Sequence, residues 1–144
     1  MLIDVRTIDC EAILDLRHRV LRAGRPRESA RLPGDDLATT VHFAALDGGQ
    51  IIGCATFLES SLDGRPAWQL RGMASAPDRA GQGVGRNLLD RAMSDLSARA
   101  GVRLFWCNAR VSALGFYEKM GWTAFGPQFE IEGVGPHFKM RREI

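Results

Sequence analysis

The sequence predicts a mixed α/β fold: a central, mostly antiparallel sheet with helices on both faces. Apolar residues with strand and helix periods alternate along the chain in the order β-α-β-β-β-α-β-α-β-β. Hairpin-type turns join the first run of strands. The later β-α-β unit needs a crossover, which joins parallel strands and is right-handed in nearly all proteins. We therefore expect one parallel pair of strands in an otherwise antiparallel sheet.

The first half of the chain supplies one helix and four strands. A short strand over Leu2–Thr7 precedes a helix that has Asp9 as its N-cap. Residues 22–40 are rich in glycine, proline and charge, which predicts a loop. Two turns, Asp47-Gly48-Gly49 and residues 60–66, separate the strands that follow. The expected bounds of those strands are Val41–Leu46, Gln50–Glu59 and Ala67–Ala76.

The second half supplies two helices and three strands. The clearest helix, Gly85–Ala100, has an apolar and a charged face, and Gly101 ends it. Val102–Ala109 is expected to be a buried strand, and a second helix over Ser112–Met120 ends at Gly121. The last expected strands are Thr123–Phe129 and His137–Arg142.

The composition is that of an ordinary globular protein, and we expect residues 1–144 to form a single domain. Hydrophobic residues make up 45% of the chain and charged residues 25%, enough for a sizeable core. The net charge of only +2 argues against a nucleic-acid or membrane partner, and no long apolar run indicates a signal peptide. Cys10, Cys54 and Cys107 have no C-x-x-C spacing and are expected to be free thiols. These features predict a cytoplasmic protein.

Three alternate glycines before the clearest helix form the most informative motif. Gly81, Gly83 and Gly85 lack a Cβ, so their backbone N–H groups can converge on an anion at the positive end of the helix. A P-loop requires Gly-Lys-Ser/Thr, but Gly85 is followed by Arg86-Asn87. The G-x-G-x-x-G spacing of a dinucleotide fingerprint is also absent. The motif therefore predicts a pyrophosphate site of neither of these two classes.

Two motifs resemble those of the GNAT superfamily of N-acetyltransferases. Leu70-Arg71-Gly72-Met73-Ala74 is similar to the family's fourth strand. It precedes a Q/R-x-x-G-x-G/A acetyl-CoA loop that reads Ala80-Gly81-Gln82-Gly83-Val84-Gly85 in this chain, with Ala80 at the Gln/Arg position. Trp106-Cys107-Asn108-Ala109, followed by Phe116-Tyr117-Glu118-Lys119-Met120-Gly121-Trp122, is similar to the family's strand–helix signature. The resemblance implies a GNAT-like fold in which the fourth and fifth strands are the parallel pair.

The same resemblance implies an acetyl-CoA-dependent N-acetyltransferase that uses no metal. A primary amine of a small molecule or a peptide would attack the thioester directly. Tyr117 matches the family tyrosine that often protonates the departing CoA thiolate, and a backbone N–H near Met73 matches the usual oxyanion donor. The implied cofactor-binding residues are Met73, Ala74, Ser75, Gly81, Gln82, Gly83, Val84, Gly85, Arg86, Asn108 and Tyr117.

Two of these residues have alternative interpretations. Asn108 ends an apolar strand, where its amide can either reach a ligand or cap the next turn. Tyr117, the only tyrosine in the chain, is either a general acid or a core aromatic with a satisfied hydroxyl. A positioned general acid typically contributes about 10²- to 10⁴-fold in rate.

Several features of the site stay open at the level of sequence. The candidate general bases are Glu59, His137 and a water molecule. Asp35 and Asp36 either attract a cationic amine or lie on a solvated loop. Because the fourth strand carries no carboxylate, a non-catalytic acetyl-CoA sensor is an alternative function. The segment Phe129–Met140 resembles a GNAT subset of mostly unknown substrate, so the acceptor, the acyl-chain preference and the choice between monomer and homodimer do not follow.

Overall fold

The computed structural model describes residues 2–144, which form seven strands and three α-helices in the predicted order. Three short 3₁₀ turns accompany them. The strands are β1 Asp4–Thr7, β2 Val41–Asp47, β3 Gln50–Leu62, β4 Arg65–Ser75, β5 Leu104–Arg110, β6 Thr123–Ile131 and β7 Gly135–Glu143. The helices are α1 Cys10–Leu21, α2 Val84–Ala100 and α3 Leu114–Lys119.

All seven strands lie in one sheet, in the order β1-β2-β3-β4-β5-β7-β6. The β4–β5 pair is parallel, and every other neighbouring pair in the described sheet is antiparallel. The predicted fold class, including the position of the parallel pair, is therefore confirmed.

Helices cover both faces of this sheet. A Cβ placed on Gly53 of β3 would lie 2.8 Å from Val84 of α2. Thr56 of the same strand accepts a hydrogen bond from Arg17 of α1. Since residues 53 and 56 are an odd number of positions apart, they face opposite sides of the strand. The two helices therefore lie on opposite faces, as predicted.

A large part of the core lies between the sheet and α2. The predicted apolar face of α2 is buried in full, with relative exposures of 0–2%; its residues are Leu88, Leu89, Ala92, Met93 and Leu96. Against it, Phe57 makes edge-to-face contacts with Phe43 and Phe105, at ring-centroid distances of 5.8 and 6.0 Å. This packing fixes the position of the N-terminus of α2 relative to β4.

The predicted turn at residues 60–66 is wrong. β3 continues to Leu62 and β4 begins at Arg65, which leaves the two-residue turn Asp63-Gly64. Both turn residues have positive φ, 51° and 75°, as a type I′ hairpin requires. The serines at positions 60 and 61 look like turn residues locally, but they continue the ladder that pairs β3 with β4.

The N-terminal elements agree with prediction except in one detail. Asp9 occupies the N-cap position of α1, but its side chain accepts no capping hydrogen bond. The loop predicted at residues 22–40 contains a 3₁₀ turn at Arg27–Ala30. In the last hairpin both strands are longer than predicted, because β6 ends at Ile131 and β7 begins at Gly135.

Strand β4 separates from β5 halfway along its length. The two strands pair up to Leu70 and Cys107, but β4 continues to Ser75. On its other edge β4 has a bulge, because three steps along β4 oppose two steps along β3. Gly72 lies in this bulge with φ +58°. Since a bulge bends its strand, β4 turns away from β5 and opens a gap along Arg71–Ser75.

Candidate active site

A cavity of about 620 Å³, which we call the loop cavity, lies at the N-terminus of α2. Gly83 is the N-cap of α2 with φ +78°, and Gly81 has φ +77°. No side chain caps this end of the helix. The N–H groups in the first turn of any helix have no acceptor within the helix. Because no side chain accepts from them here either, they favour an anionic ligand.

Most of the predicted cofactor-binding residues line the loop cavity. These are Met73, Ala74, Ser75, Gly81, Gly83, Val84, Gly85, Arg86 and Tyr117. Gln82 and Asn108 are absent from the lining, and both are exposed. The structure thus brings together nine of the eleven implied residues.

Cations surround the loop cavity. Arg79, Arg86 and Lys119 all line it. Arg79 donates to the carboxylate of Asp47 at 2.6 Å, so its charge is partly balanced. Arg86 lies in the first turn of α2, where the helix dipole disfavours a cation by about 0.3–1 kcal/mol. An anion bound at this helix end would attract Arg86 and offset that repulsion.

The glycines of the loop are required for two different reasons. A Cβ on Gly85 would lie 3.0 Å from the ring of Phe116, so this glycine allows α3 to pack closely on α2. A Cβ on Gly81 would meet nothing within 4 Å, and one on Gly83 would meet only the Asn87 amide at 3.4 Å. At those two positions the left-handed backbone conformation is what favours glycine.

Tyr117 lies where the loop cavity meets a second cavity, and it lines both. It is buried, and its hydroxyl contacts the sulfur of Met73 at 3.7 Å. Its ring packs edge-on against Phe116 and Trp122. Burial, and next the neighbouring Cys107 thiol, raise the pKa of Tyr117 well above its ordinary value. The hydroxyl therefore stays protonated at neutral pH and can donate a proton.

The second cavity, of about 340 Å³, lies beside α1, and we call it the α1-side cavity. Asn108 lines this cavity. His137 also lines it and is buried. The Nδ1 atom of His137 lies 2.8 Å from the carbonyl oxygen of Gly135. Because a carbonyl oxygen only accepts hydrogen bonds, this contact requires a hydrogen on Nδ1, which leaves Nε2 as the ring nitrogen that could accept a proton.

The carboxylate candidates line neither cavity. Glu59 is exposed on β3 opposite Trp68 and lines neither cavity. Asp36 is exposed, 3.7 Å from Arg31. Asp35 is buried and pairs with Arg17 at 2.6 Å. The expectation that Asp35 attracts an amine or lies on a solvated loop is therefore wrong, because its charge is already used by a buried arginine.

Sequence reasoning missed the polar network around Arg17. This side chain is completely buried and donates to the carbonyl of Ala30, to Asp35 and to Thr56. Thr56 also bonds His42 Nδ1 at 2.8 Å. A signal was present, since position 17 follows Ile13 by four residues and so lies on the apolar face of α1. Three more arginines that line the α1-side cavity, Arg22, Arg71 and Arg110, were also not assigned to a site.

The sheet has one separated parallel pair of strands, with a glycine loop and a buried tyrosine beside the gap. The profile of the acetyltransferase (GNAT) domain matches residues 38–124. The chain is therefore an N-acetyltransferase that belongs to the GNAT superfamily, as its motifs predict. None of the helices within residues 2–144 is long and apolar enough to cross a membrane.

Particular relatives agree with this classification. The uncharacterized N-acetyltransferase YitI of Bacillus subtilis (strain 168) is 34% identical over 146 residues, which cover 99% of this chain and 97% of that protein. The crystal structure of Escherichia coli ElaA superposes with a TM-score of 0.82 at 18% identity, covering 99% of this chain and 100% of that one. An aminoglycoside 6'-N-acetyltransferase complexed with coenzyme A gives 0.78 at 15% identity, covering 99% and 97%. These two structures share the fold.

Proposed function

We propose that the protein transfers an acetyl group from acetyl-CoA to a primary amine of a small molecule or a peptide, which attacks the thioester directly. One observation carries this proposal: Tyr117 lines both the loop cavity, at the N-terminus of α2, and the α1-side cavity. The donor would thus approach from the α2 side and the acceptor from the α1 side, and they would meet at the β4–β5 gap.

The loop cavity supplies the interactions that a pyrophosphate needs. Backbone N–H groups of residues 81–86 would donate to it, each charge-assisted hydrogen bond contributing roughly 1.5–3 kcal/mol. Arg86 and Lys119 add positive charge at the same cavity. Along the gap, the β4 backbone from Met73 to Ser75 has no β5 partner. Its free polar groups can pair with the amides of a pantetheine arm as an added strand would.

The reaction requires two proton movements, and the cavities offer a residue for each. As the amine nitrogen bonds to the thioester carbon and the C–S bond breaks, the departing thiolate takes a proton from the hydroxyl of Tyr117. The attacking amine gives its proton to Nε2 of His137, directly or through water. A backbone N–H near Met73 would bind the oxyanion. Asn108 lines the α1-side cavity, and we propose that its amide binds ligand there.

The first test is the melting temperature of the protein with and without acetyl-CoA. Ligand at about 100 times its Kd stabilises a fold by about 2.7 kcal/mol, which shifts the melting temperature by several degrees for a chain of this length. An absence of any shift at millimolar acetyl-CoA would refute the assignment of the loop cavity.

The second test separates binding from catalysis. Tyr117→Phe removes only the hydroxyl, so the acetyl-CoA-induced shift should persist. Release of free CoA thiol with a productive amine should fall by about 10²- to 10⁴-fold. Unchanged turnover in Tyr117→Phe would eliminate Tyr117 as the general acid.

A further inference from the structure

The α1-side cavity is positively charged. Three arginines from three separate elements line it: Arg22 follows α1, Arg71 lies on β4 and Arg110 ends β5. No aspartate or glutamate is among the described residues that line this cavity. A fourth lining arginine, Arg17, is neutralised by its buried bond to Asp35.

None of the three arginines is paired with a carboxylate in the described part of the chain. Arg71 donates to the carbonyl oxygen of Pro33, and Arg22 and Arg110 have no side-chain partner there. All three are only half-exposed. Burial, followed by the charges of Arg25, Arg110, Arg71 and Arg17, lowers the pKa of Arg22. The cations therefore repel one another in a partly desolvated space.

An anion in this cavity would remove that repulsion. We propose that the acceptor is a small amine that also carries a carboxylate or phosphate group, and that Arg22, Arg71 and Arg110 bind this group. The proposal rests on the function proposed above and specifies its substrate class. Guanidinium groups suit both anions because their planar N–H pairs match two oxygens at once.

The position of Arg110 connects this anion site to the reacting groups. Arg110 of β5 is directly opposite His137 of β7. Directly opposed residues of antiparallel strands extend from the same face with Cβ atoms about 4.5–5.5 Å apart. An anion held by Arg110 therefore leaves the rest of a short acceptor beside His137. A polycation such as a polyamine would instead meet repulsion, with no carboxylate in the cavity lining to bind it.

Matched pairs of acceptors test the charge requirement. Release of CoA thiol is measured with α-amino acids and their amides, with aminoalkyl phosphates and the parent amino alcohols, and with spermidine. We expect the anionic member of a pair to have a KM about 10- to 100-fold lower than its neutral partner. The neutral partner lacks one strong hydrogen bond to a guanidinium group, and this ratio corresponds to that loss. Which pair responds distinguishes carboxylate from phosphate. Equal KM values within every pair, or spermidine as the best acceptor, would overturn the proposal.

Substitution of the arginines is the second arm. Arg110→Gln removes a cation that holds no other side chain, so the fold should be unaffected while KM for the anionic acceptor rises about 10-fold or more. The matched control is Arg91→Gln, because Arg91 is exposed on α2 and does not line the α1-side cavity. This control substitution should leave KM unchanged. Equal effects of the two substitutions would overturn the proposal.

A binding measurement separates this inference from the proposed function. With coenzyme A saturating the loop cavity, the melting temperature is recorded as inorganic phosphate is added. We expect phosphate to raise it in the wild type and in Arg91→Gln, and to do so less in Arg110→Gln. A CoA-induced shift without a phosphate-induced one would refute the anion site and leave the acetyl-CoA site intact. Failure of the CoA-induced shift would instead refute the proposed function.

Discussion

Removing the carboxylate of Asp35 should destabilise the fold strongly, although Asp35 lies in an irregular loop. This carboxylate accepts hydrogen bonds from Arg17 Nη1 at 2.6 Å, from Arg17 Nη2 at 3.4 Å and from the Leu32 N–H at 2.7 Å. Three such bonds at about 1 kcal/mol each give roughly 3 kcal/mol. Breaking a buried ion pair costs about 3–5 kcal/mol, because the remaining charge is left unpaired. We therefore expect Asp35→Ala to lower the free energy of unfolding by about 3–5 kcal/mol.

The assay is urea denaturation with the free energy of unfolding extrapolated to water. The adjacent Asp36 provides a matched control, since its side chain is 85% exposed and its nearest cation, the partly exposed Arg31, is 3.7 Å away. Asp36→Ala should change stability by no more than about 0.5 kcal/mol. A double-mutant cycle with Arg17→Met isolates the pair, and we expect a coupling energy of about 2 kcal/mol or more. If Asp35→Ala cost less than about 1 kcal/mol, or matched Asp36→Ala, the buried pair would not hold the loop.

Two further predictions concern the loop cavity and the thiols. Gly83 and Gly101 both have positive φ at opposite ends of α2, so Gly83→Leu and Gly101→Leu should each cost about 1–2 kcal/mol by urea denaturation. The acetyl-CoA-induced melting shift should disappear only in Gly83→Leu; its loss in both would point to general damage. Burial raises the pKa of Cys54 to about 11 and of Cys107 to about 12, so at pH 8 a disulfide reagent should modify only Cys10 in the native protein, and all three thiols in urea. Both native pKa values exceed the ordinary value of 9, so the unfolded chain loses these protons at a lower pH than the native protein does. The free energy of unfolding should therefore fall as pH rises above about 9. Rapid modification of native Cys107 at pH 8 would contradict the burial of that thiol.

The sequence predicted those parts of the fold that depend on local patterns. The period of α2, the glycine that ends it and the order of the strands are all visible in short windows of sequence. The bulge at Gly72 is not, because it depends on the register between β3 and β4. A Cβ on Gly72 would lie 2.6 Å from Arg17 Nε, a contact that only the folded chain creates. The separation of β4 from β5 therefore cannot be predicted from local sequence patterns.

The candidate site divides along the same line. Its loop was predicted from three glycines within five residues, because these glycines lie together at the N-terminus of a single helix. The arginines of the α1-side cavity are at positions 22, 71 and 110, and only the sheet register and the placement of α1 bring them together. A net charge of +2 conceals them as well, because acidic residues elsewhere offset their charge. Asp35 was misinterpreted for a related reason, since its partner lies 18 residues away.

The arginines also bear on how an amine could react without a carboxylate base. An acceptor amine must lose its proton before it attacks, and a positive environment lowers the pKa of an ammonium group. At an effective dielectric constant of 20, a guanidinium about 8 Å away contributes roughly 2 kcal/mol, or about 1.5 pKa units. An anionic substituent on the acceptor offsets one of the three charges and leaves the others to favour the neutral amine. Under the proposed function, the same arginines would bind the acceptor and favour its neutral amine, and Nε2 of His137 would accept the proton that the amine loses on attack.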